Sequence, residues 1–138
     1  MGDEKEAVVI PGAEKKKILV ADDEPHIRRV VKDKLSNAGF QVFEAVNGEE
    51  AFQIAIRETP DLILLDVMMP KLNGFDVCRK LRCEPVFLNV PILLLTAKGQ
   101  ESDKKMGLDA GATEYITKPF SPRQLLQDVQ MRLGLSEN

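Results

Sequence analysis

The chain has 138 residues, a formal charge of −3, and 43% hydrophobic residues. This length accommodates one domain, and the composition is typical of a folded globular protein and not of a disordered one. The charge is too near neutral for a basic nucleic-acid-binding surface, so we expect no direct nucleic-acid contact. No apolar run approaches the ~20 residues of a membrane span, and residues 1–5 lack the apolar segment of a signal peptide. We therefore expect a cytoplasmic protein without membrane contact.

The residue types that usually mark metal or redox chemistry are scarce. Cys78 and Cys83 lie five positions apart, a spacing that fits neither a Cys-x-x-Cys redox motif nor a zinc pair. Two reduced thiols are expected. A single histidine, His26, cannot build a histidine-based metal site.

The chain divides into a tail, a domain and a short end. Residues 1–16 combine charged residues, Pro11, Gly12 and a lysine run with only one short apolar stretch, so we expect a flexible N-terminal tail. Residues 17–135 form the predicted domain, and residues 136–138 are a short C-terminal end.

Within the domain, short apolar runs alternate with amphipathic stretches. The predicted strands are residues 18–21, 41–45, 62–65, 92–95 and 113–117. The first, third and fourth runs are continuously apolar, which is typical of parallel strands covered on both faces.

Helix patterns fill the intervals between these runs. The first helix has the stripe Ile27, Val30, Val31 and Leu35 and ends at Gly39; the second opens at the N-cap Asn47; the third spans 75–81; the fourth spans 101–110 and ends at Gly111; the fifth opens at Ser121-Pro122 with the stripe Leu125, Val129 and Leu133. Repeated strand–helix alternation predicts right-handed crossovers and a doubly wound α/β sheet.

Polar residues stand where the predicted strands end. Asp22 and Asp23 follow the first strand, Asp66 closes the third, Thr96 the fourth and Lys118 the fifth. Open α/β sheets bind ligands at the carboxyl ends of their strands. Adjacent strands are only ~4.8 Å apart, so these side chains are expected to converge on one pocket.

Such a pocket favours one kind of chemistry. Clustered carboxylates repel each other, and an all-oxygen site that relieves the repulsion suits Mg²⁺. Carboxylates, Mg²⁺, an ammonium and a hydroxyl match the needs of phosphoryl transfer. No Ser-His or Cys-His arrangement competes in the sequence, which leaves a carboxylate as the nucleophile and an aspartyl phosphate as the product.

The ordered motifs resemble the receiver domains of two-component response regulators. The matching segments are ILVADDE at 18–24, LDVMMP at 65–70 with Asn73-Gly74, LTA at 95–97 and YITKPF at 115–120. The resemblance covers residues 17–135. It implies a flavodoxin-like (βα)5 fold with a five-stranded parallel sheet in the order 2-1-3-4-5, like that of the chemotaxis response regulator.

The resemblance also implies roles for the residues around the metal. Asp66 is similar to the phosphoacceptor, Asp23 to the direct Mg²⁺ ligand, and Asp22 to the partner acting largely through a water. The backbone carbonyl of Met68 is expected to complete the protein's share of the coordination.

Further implied roles concern the phosphoryl group and the response to it. Thr96 resembles the hydroxyl that hydrogen-bonds the phosphoryl group, and Lys118 the lysine that pairs with it. Tyr115 resembles the switch aromatic that moves inward with Thr96. The bond between Lys118 and Pro119 is expected to be cis.

The implied function is that of a phosphorylation-activated switch and not of an enzyme. A sensor histidine kinase or a His-phosphotransfer protein would phosphorylate Asp66, and a protein-interaction face would then change, with dimerisation as a possible consequence. Met68 and Lys98 border the expected path of the attacking water. Neither orients water well, so slow self-dephosphorylation is expected.

Several alternatives stay open. Asp22 and Asp23 are also suited to capping the first helix ahead of Pro25. A haloacid-dehalogenase-type phosphatase would need a second Asp where Met68 stands, and a flavodoxin-like electron carrier would need a phosphate loop where the acidic pair stands. The chain is either a stand-alone regulator or a receiver domain excised from a larger DNA-binding or enzymatic protein.

Overall fold

The computed structural model describes residues 16–97 and 101–135, and for residues 101–104 the backbone only. In these ranges five strands alternate with five α-helices. The strands are β1 (Lys17–Ala21), β2 (Gln41–Ala45), β3 (Leu62–Asp66), β4 (Ile92–Ala97) and β5 (Glu114–Lys118); the helices are α1 (Pro25–Asn37), α2 (Gly48–Glu58), α3 (Gly74–Arg82), α4 (Glu101–Asp109) and α5 (Pro122–Arg132). Residues 1–15 of the predicted tail and residues 136–138 lie outside the described residues.

The sheet is parallel throughout its described pairings, in the order β2-β1-β3-β4-β5. The doubly wound fold and its strand order are therefore confirmed. The central strand β3 is buried along its whole length, as its continuous apolar run predicts. The edge strands β2 and β5 are mostly half-buried, because each has a neighbour on one side only.

Alternate side chains of the central strands fill two hydrophobic layers. Ile18 and Val20 of β1 pack with residues of α1 and α5 on one face. Leu19 and Ala21 pack with residues of α2 and α3 on the other face. Full burial of each large aliphatic side chain contributes about 1.5–3 kcal/mol to folding. The two layers hold the strand ends in a fixed relation, and this relation positions the candidate site.

The helix ends follow the predicted capping chemistry. The Asn47 side chain accepts a hydrogen bond from the Glu50 N–H at 2.8 Å, and the Ser121 hydroxyl accepts one from Gln124 at 3.2 Å. Gly39 follows α1 with φ = 106°. A 3₁₀ turn at Pro85–Phe87 was not predicted, because three residues are too few to show a periodic pattern.

Both cysteines are free, as expected. Cys78 is buried and Cys83 is exposed. Burial raises the pKa of the Cys78 thiol, and its sulfur lies 3.4 Å from the Ala110 carbonyl, to which it donates. Cys78 is therefore a packing residue of the core. In the described part of the chain, no helix is both long and apolar enough to cross a membrane.

Candidate functional site

Four of the predicted polar residues meet at the carboxyl edge of the sheet. Asp66 is the last residue of β3 and Lys118 the last of β5, while Asp22 comes directly after β1 and Thr96 lies one residue before the end of β4. The parallel register aligns Ala21 with Leu65, and Asp66 with Leu95. The strands therefore end at one level. Asp22, Asp66 and Thr96 are all buried.

Three carboxylates form the acidic part of this site. Asp22, Asp23 and Asp66 each offer an oxygen, and these oxygens all lie within 4.8 Å of one another. Asp22 is fully buried and Asp66 is 5% exposed, whereas Asp23 faces solvent. Hard oxygen donors at this separation fit a hard divalent cation such as Mg²⁺, with the solvent side free for water ligands. The donor chemistry of the site therefore fits the expected metal.

Lys118 supplies positive charge to the same pocket. Its Nζ lies 2.8 Å from Asp22 Oδ2 and 3.4 Å from Asp66 Oδ1, with Glu24 Oε1 at 3.8 Å. Burial disfavours the ammonium, but the two aspartates outweigh that effect and raise the pKa of Lys118 above its ordinary value. One ammonium among these acids leaves the pocket with an excess of negative charge.

Burial and the excess of negative charge together disfavour the ionisation of Asp66. Burial, followed by the nearby Asp22 carboxylate, raises the pKa of Asp66 to about 7. Lys118 and a hydrogen bond from the Met68 N–H at 3.4 Å act in the opposite direction and are weaker. The carboxyl group with the raised pKa is thus the one predicted to react.

Contacts with α1 and α3 position the ends of β1 and β3. The Glu24 N–H donates to Asp22 Oδ1 at 2.9 Å, which closes a tight turn before α1. The N-cap of α1 is Glu24, whose side chain makes no capping hydrogen bond, so the acidic pair does not occupy the cap position. At the start of α3, Gly74 packs so closely that an added Cβ would lie 2.6 Å from the Asp66 carbonyl oxygen.

The structure also shows how exposed the other predicted residues are. Thr96 is buried on β4, and Tyr115 on β5 is half-buried against the hydrophobic layer beneath α2 and α3. The Met68 side chain is 72% exposed. The Lys118–Pro119 bond is cis, as the resemblance implied. Lys98 lies outside the described residues.

Sequence reasoning gave no role to two residues that the structure places beside the site. Glu24 approaches Lys118, and Arg28 Nη1 donates to the Asp22 carbonyl at 2.8 Å. Glu24 directly follows the acidic pair in the sequence, so its proximity was detectable. Arg28 shows no such signal, because a charged residue beside a helix stripe usually faces solvent.

Comparison with known proteins identifies what the fold and site resemble. A family model described as the response regulator receiver domain matches residues 18–130. The probable transcriptional regulator ycf27 of Cyanophora paradoxa is 48% identical over 124 residues, covering 90% of this chain and 51% of that protein. The chain thus spans about half the length of the curated relatives that it matches.

Solved structures that resemble this chain include a response regulator and a receiver domain. The chemotaxis response regulator CheY4 of Vibrio cholerae has a TM-score of 0.81 at 36% identity, covering 86% of this chain and 98% of that one. The receiver domain of the sensor histidine kinase PA1611 of Pseudomonas aeruginosa has a TM-score of 0.80 at 32% identity, with the same coverage. The latter structure contains a magnesium ion coordinated in its active-site cleft.

Proposed function

The chain belongs to the response regulator receiver family, and we propose on that basis that Asp66 accepts a phosphoryl group from a sensor histidine kinase or a His-phosphotransfer protein. The single observation that carries the proposal is the geometry around Asp66. Its carboxylate ends the central strand, faces an acidic cluster suited to Mg²⁺, and lies 3.4 Å from Lys118 Nζ. The proposed roles of the other site residues depend on this arrangement.

The proposed metal ligands are Asp23, Asp66 and the backbone carbonyl of Met68, with Asp22 acting through a water. Bound Mg²⁺ would neutralise charge on the phosphoryl oxygens during transfer. Support comes from the three carboxylates whose oxygens cluster within 4.8 Å, with the exposed Asp23 on the solvent side.

In the proposed transfer, an ionised Asp66 oxygen forms a bond to phosphorus as the bond between phosphorus and the donor's imidazole nitrogen breaks. Lys118 pairs with a phosphoryl oxygen, and for this its ammonium moves from the carboxylates that it contacts in the unphosphorylated protein. The chain promotes its own modification and acts on no separate substrate, so we do not class it as an enzyme.

The proposed response is a shift between two conformations. The phosphoryl group favours the state in which Thr96 is drawn toward it and Tyr115 is buried, which changes the surface formed by α4, β5 and α5. Tyr115 is half-buried, so part of its surface can still become buried in the second conformation. The changed surface would contact a downstream protein or a second copy of the chain.

The phosphoryl group is proposed to be lost slowly without help. Met68 is apolar and 72% exposed, and its side chain is proposed to cover the acyl phosphate while offering no group that orients water. Lys98, the second residue on the expected water path, would pair with the phosphate and not activate water.

The decisive experiment is phosphorylation by acetyl phosphate with Mg²⁺, followed by intact-mass measurement. The wild-type protein should gain one phosphoryl group that is stable in acid and labile to base and hydroxylamine. Asp66→Asn should gain none, and the exposed control Asp33→Asn should react like the wild type. Normal labelling of Asp66→Asn would refute the assignment of the phosphoacceptor.

A second proposal concerns the output. Relatives about twice as long are described as probable transcriptional regulators, which favours a receiver that controls a DNA-binding part of a longer protein. Nucleic-acid contact would then be made by that part. The length of the native reading frame beyond residue 138 decides between this arrangement and a stand-alone regulator.

A further inference from the structure

Arg28 on α1 joins the loop that carries the acidic pair to the edge strand β2. Its Nη1 donates to the Asp22 carbonyl at 2.8 Å, and its Nε lies 3.4 Å from Glu44 Oε1 on β2. We propose that Arg28 is a positioning residue for the metal site. By binding the Asp22 carbonyl, it holds the peptide between Asp22 and Asp23 in the orientation that the cation requires. This inference rests on the proposed function, because it assumes that the acidic pair binds Mg²⁺.

Asp22 makes hydrogen bonds through its backbone N–H and its side chain as well as through its carbonyl. Its N–H donates to the Ala45 carbonyl at 3.1 Å, and its Oδ1 accepts from the Glu24 N–H. The carbonyl that Arg28 binds belongs to the same planar peptide unit as the Asp23 N–H. Fixing that carbonyl therefore fixes the direction in which the chain enters Asp23.

The Arg28 guanidinium is itself held by two contacts. Its side chain is only 16% exposed, so solvent screens it less than a surface charge. Glu44 is held in turn by Lys32, whose Nζ lies 3.2 Å from Oε2. A planar guanidinium can donate in two directions at once, which a lysine ammonium on a flexible stem does with less precision.

Arg28 can act on Mg²⁺ binding through its position or through its charge. Arg28 brings a positive charge near a site that binds a cation, so deleting it on electrostatic grounds alone would strengthen Mg²⁺ binding. Loss of orientation would weaken binding instead. The two explanations predict opposite signs, and a weaker affinity after charge removal identifies the positioning role.

The experiment compares Arg28→Met, Arg28→Lys and the matched control Arg29→Met, an exposed neighbour on the same helix. Mg²⁺ affinity is measured by calorimetry on the full chain, and urea unfolding is recorded beside it. Groups that orient metal ligands typically change affinity by about 10- to 100-fold. We expect Arg28→Met to weaken Mg²⁺ binding about 10-fold, Arg28→Lys to recover part of the loss, and Arg29→Met to bind at least as tightly as wild type.

A purely structural role would lower the unfolding free energy of Arg28→Met and leave its Mg²⁺ affinity equal to that of Arg29→Met, which would overturn the inference alone. Absence of Mg²⁺ binding to the wild-type protein would overturn the proposed function together with it. Arg28→Lys keeps the positive charge and provides a second test should Arg28→Met fail to fold. It should weaken Mg²⁺ binding by a few-fold, and wild-type affinity in that variant would contradict the inference.

Discussion

Replacing Asp66 with asparagine is expected to stabilise the metal-free protein at neutral and alkaline pH. The substitution keeps the shape of the side chain and removes its charge. The contact with Lys118 at 3.4 Å is weakened, but burial and repulsion from Asp22 are relieved. The raised pKa of Asp66 shows that the two unfavourable effects are the larger ones.

The size of the expected stabilisation follows from the difference between the pKa of Asp66 in the folded protein and its ordinary value. Asp66 titrates at about 7 in the folded protein and has an ordinary value of 3.8. Each unit corresponds to about 1.4 kcal/mol, so ionised Asp66 lowers the free energy of unfolding by up to about 4 kcal/mol. Because Asp22 and Lys118 adjust when Asp66 changes charge, we expect a gain of about 2–4 kcal/mol in the Asn variant at pH 8.

The pH dependence has a definite sign. A folded-state pKa above the unfolded value means that the stabilising effect of the proton is complete below about pH 4. It is lost as the pH rises through about 7. The stability difference between Asp66→Asn and wild type should therefore be small at pH 4 and grow up to pH 8. Saturating Mg²⁺ should stabilise wild type at pH 8 far more than the variant.

The assay is urea unfolding in EDTA at several pH values, repeated with Mg²⁺, and read as the difference between variant and wild type. Taking the difference removes the pH-dependent contributions that the two proteins share. The exposed Asp33→Asn serves as the control and should change stability by less than about 0.5 kcal/mol. An Asp66→Asn variant no more stable than wild type at pH 8 would contradict the account of unrelieved carboxylate charge.

Three further outcomes concern packing and the lifetime of the phosphoryl group, and a fourth concerns the switch. Gly74→Ala places a Cβ against the Asp66 carbonyl, which should lower the free energy of unfolding by about 1–3 kcal/mol and slow phosphorylation by acetyl phosphate. Wild-type values of both quantities would refute the close packing. The Arg82 guanidinium donates to the backbone carbonyls of Gly111, Phe87 and Val90. Arg82→Ala removes these hydrogen bonds and should lower the free energy of unfolding by about 3 kcal/mol or more, and Arg82→Lys should recover part of that loss. Met68→Asn should shorten the lifetime of the phosphorylated protein several-fold, and an unchanged decay would disprove shielding. Thr96→Ala should still be phosphorylated, but phosphorylation should change the amide chemical shifts near Tyr115 less than in wild type. Equal changes would argue against the switch.

The sequence was sufficient for the architecture because the relevant signals are local. Continuous apolar runs predicted the strands β1, β3 and β4, and the side chain of Asn47 predicted where α2 begins. The strand order came from the resemblance and not from periodicity, since an alternating pattern does not say which strands are neighbours. Asn73 caps α3 through the Asp76 N–H, a role that the sequence left unassigned.

The candidate site was partly visible for a similar reason. Strand ends can be located along a chain, and parallel strands bring their carboxyl ends to one edge, so Asp22, Asp66, Thr96 and Lys118 could be grouped by their positions in the sequence. The sequence could not give the distances among them. It also could not show which acid is buried, because the accessibility of Asp66 and Asp23 depends on the loops that cover the edge.

The sequence by itself thus determined the order of elements, the carboxylates at the strand ends and the kind of metal that they suit. Tertiary structure decided the 2.8 Å approach of Lys118 to Asp22 and the burial that raises the pKa of Asp66. It also decided the role of Arg28, which reaches a carbonyl on one strand end and a carboxylate on the neighbouring strand. Contacts of this kind join residues from different elements, and their energies depend on distance and exposure, which no local pattern in the sequence records.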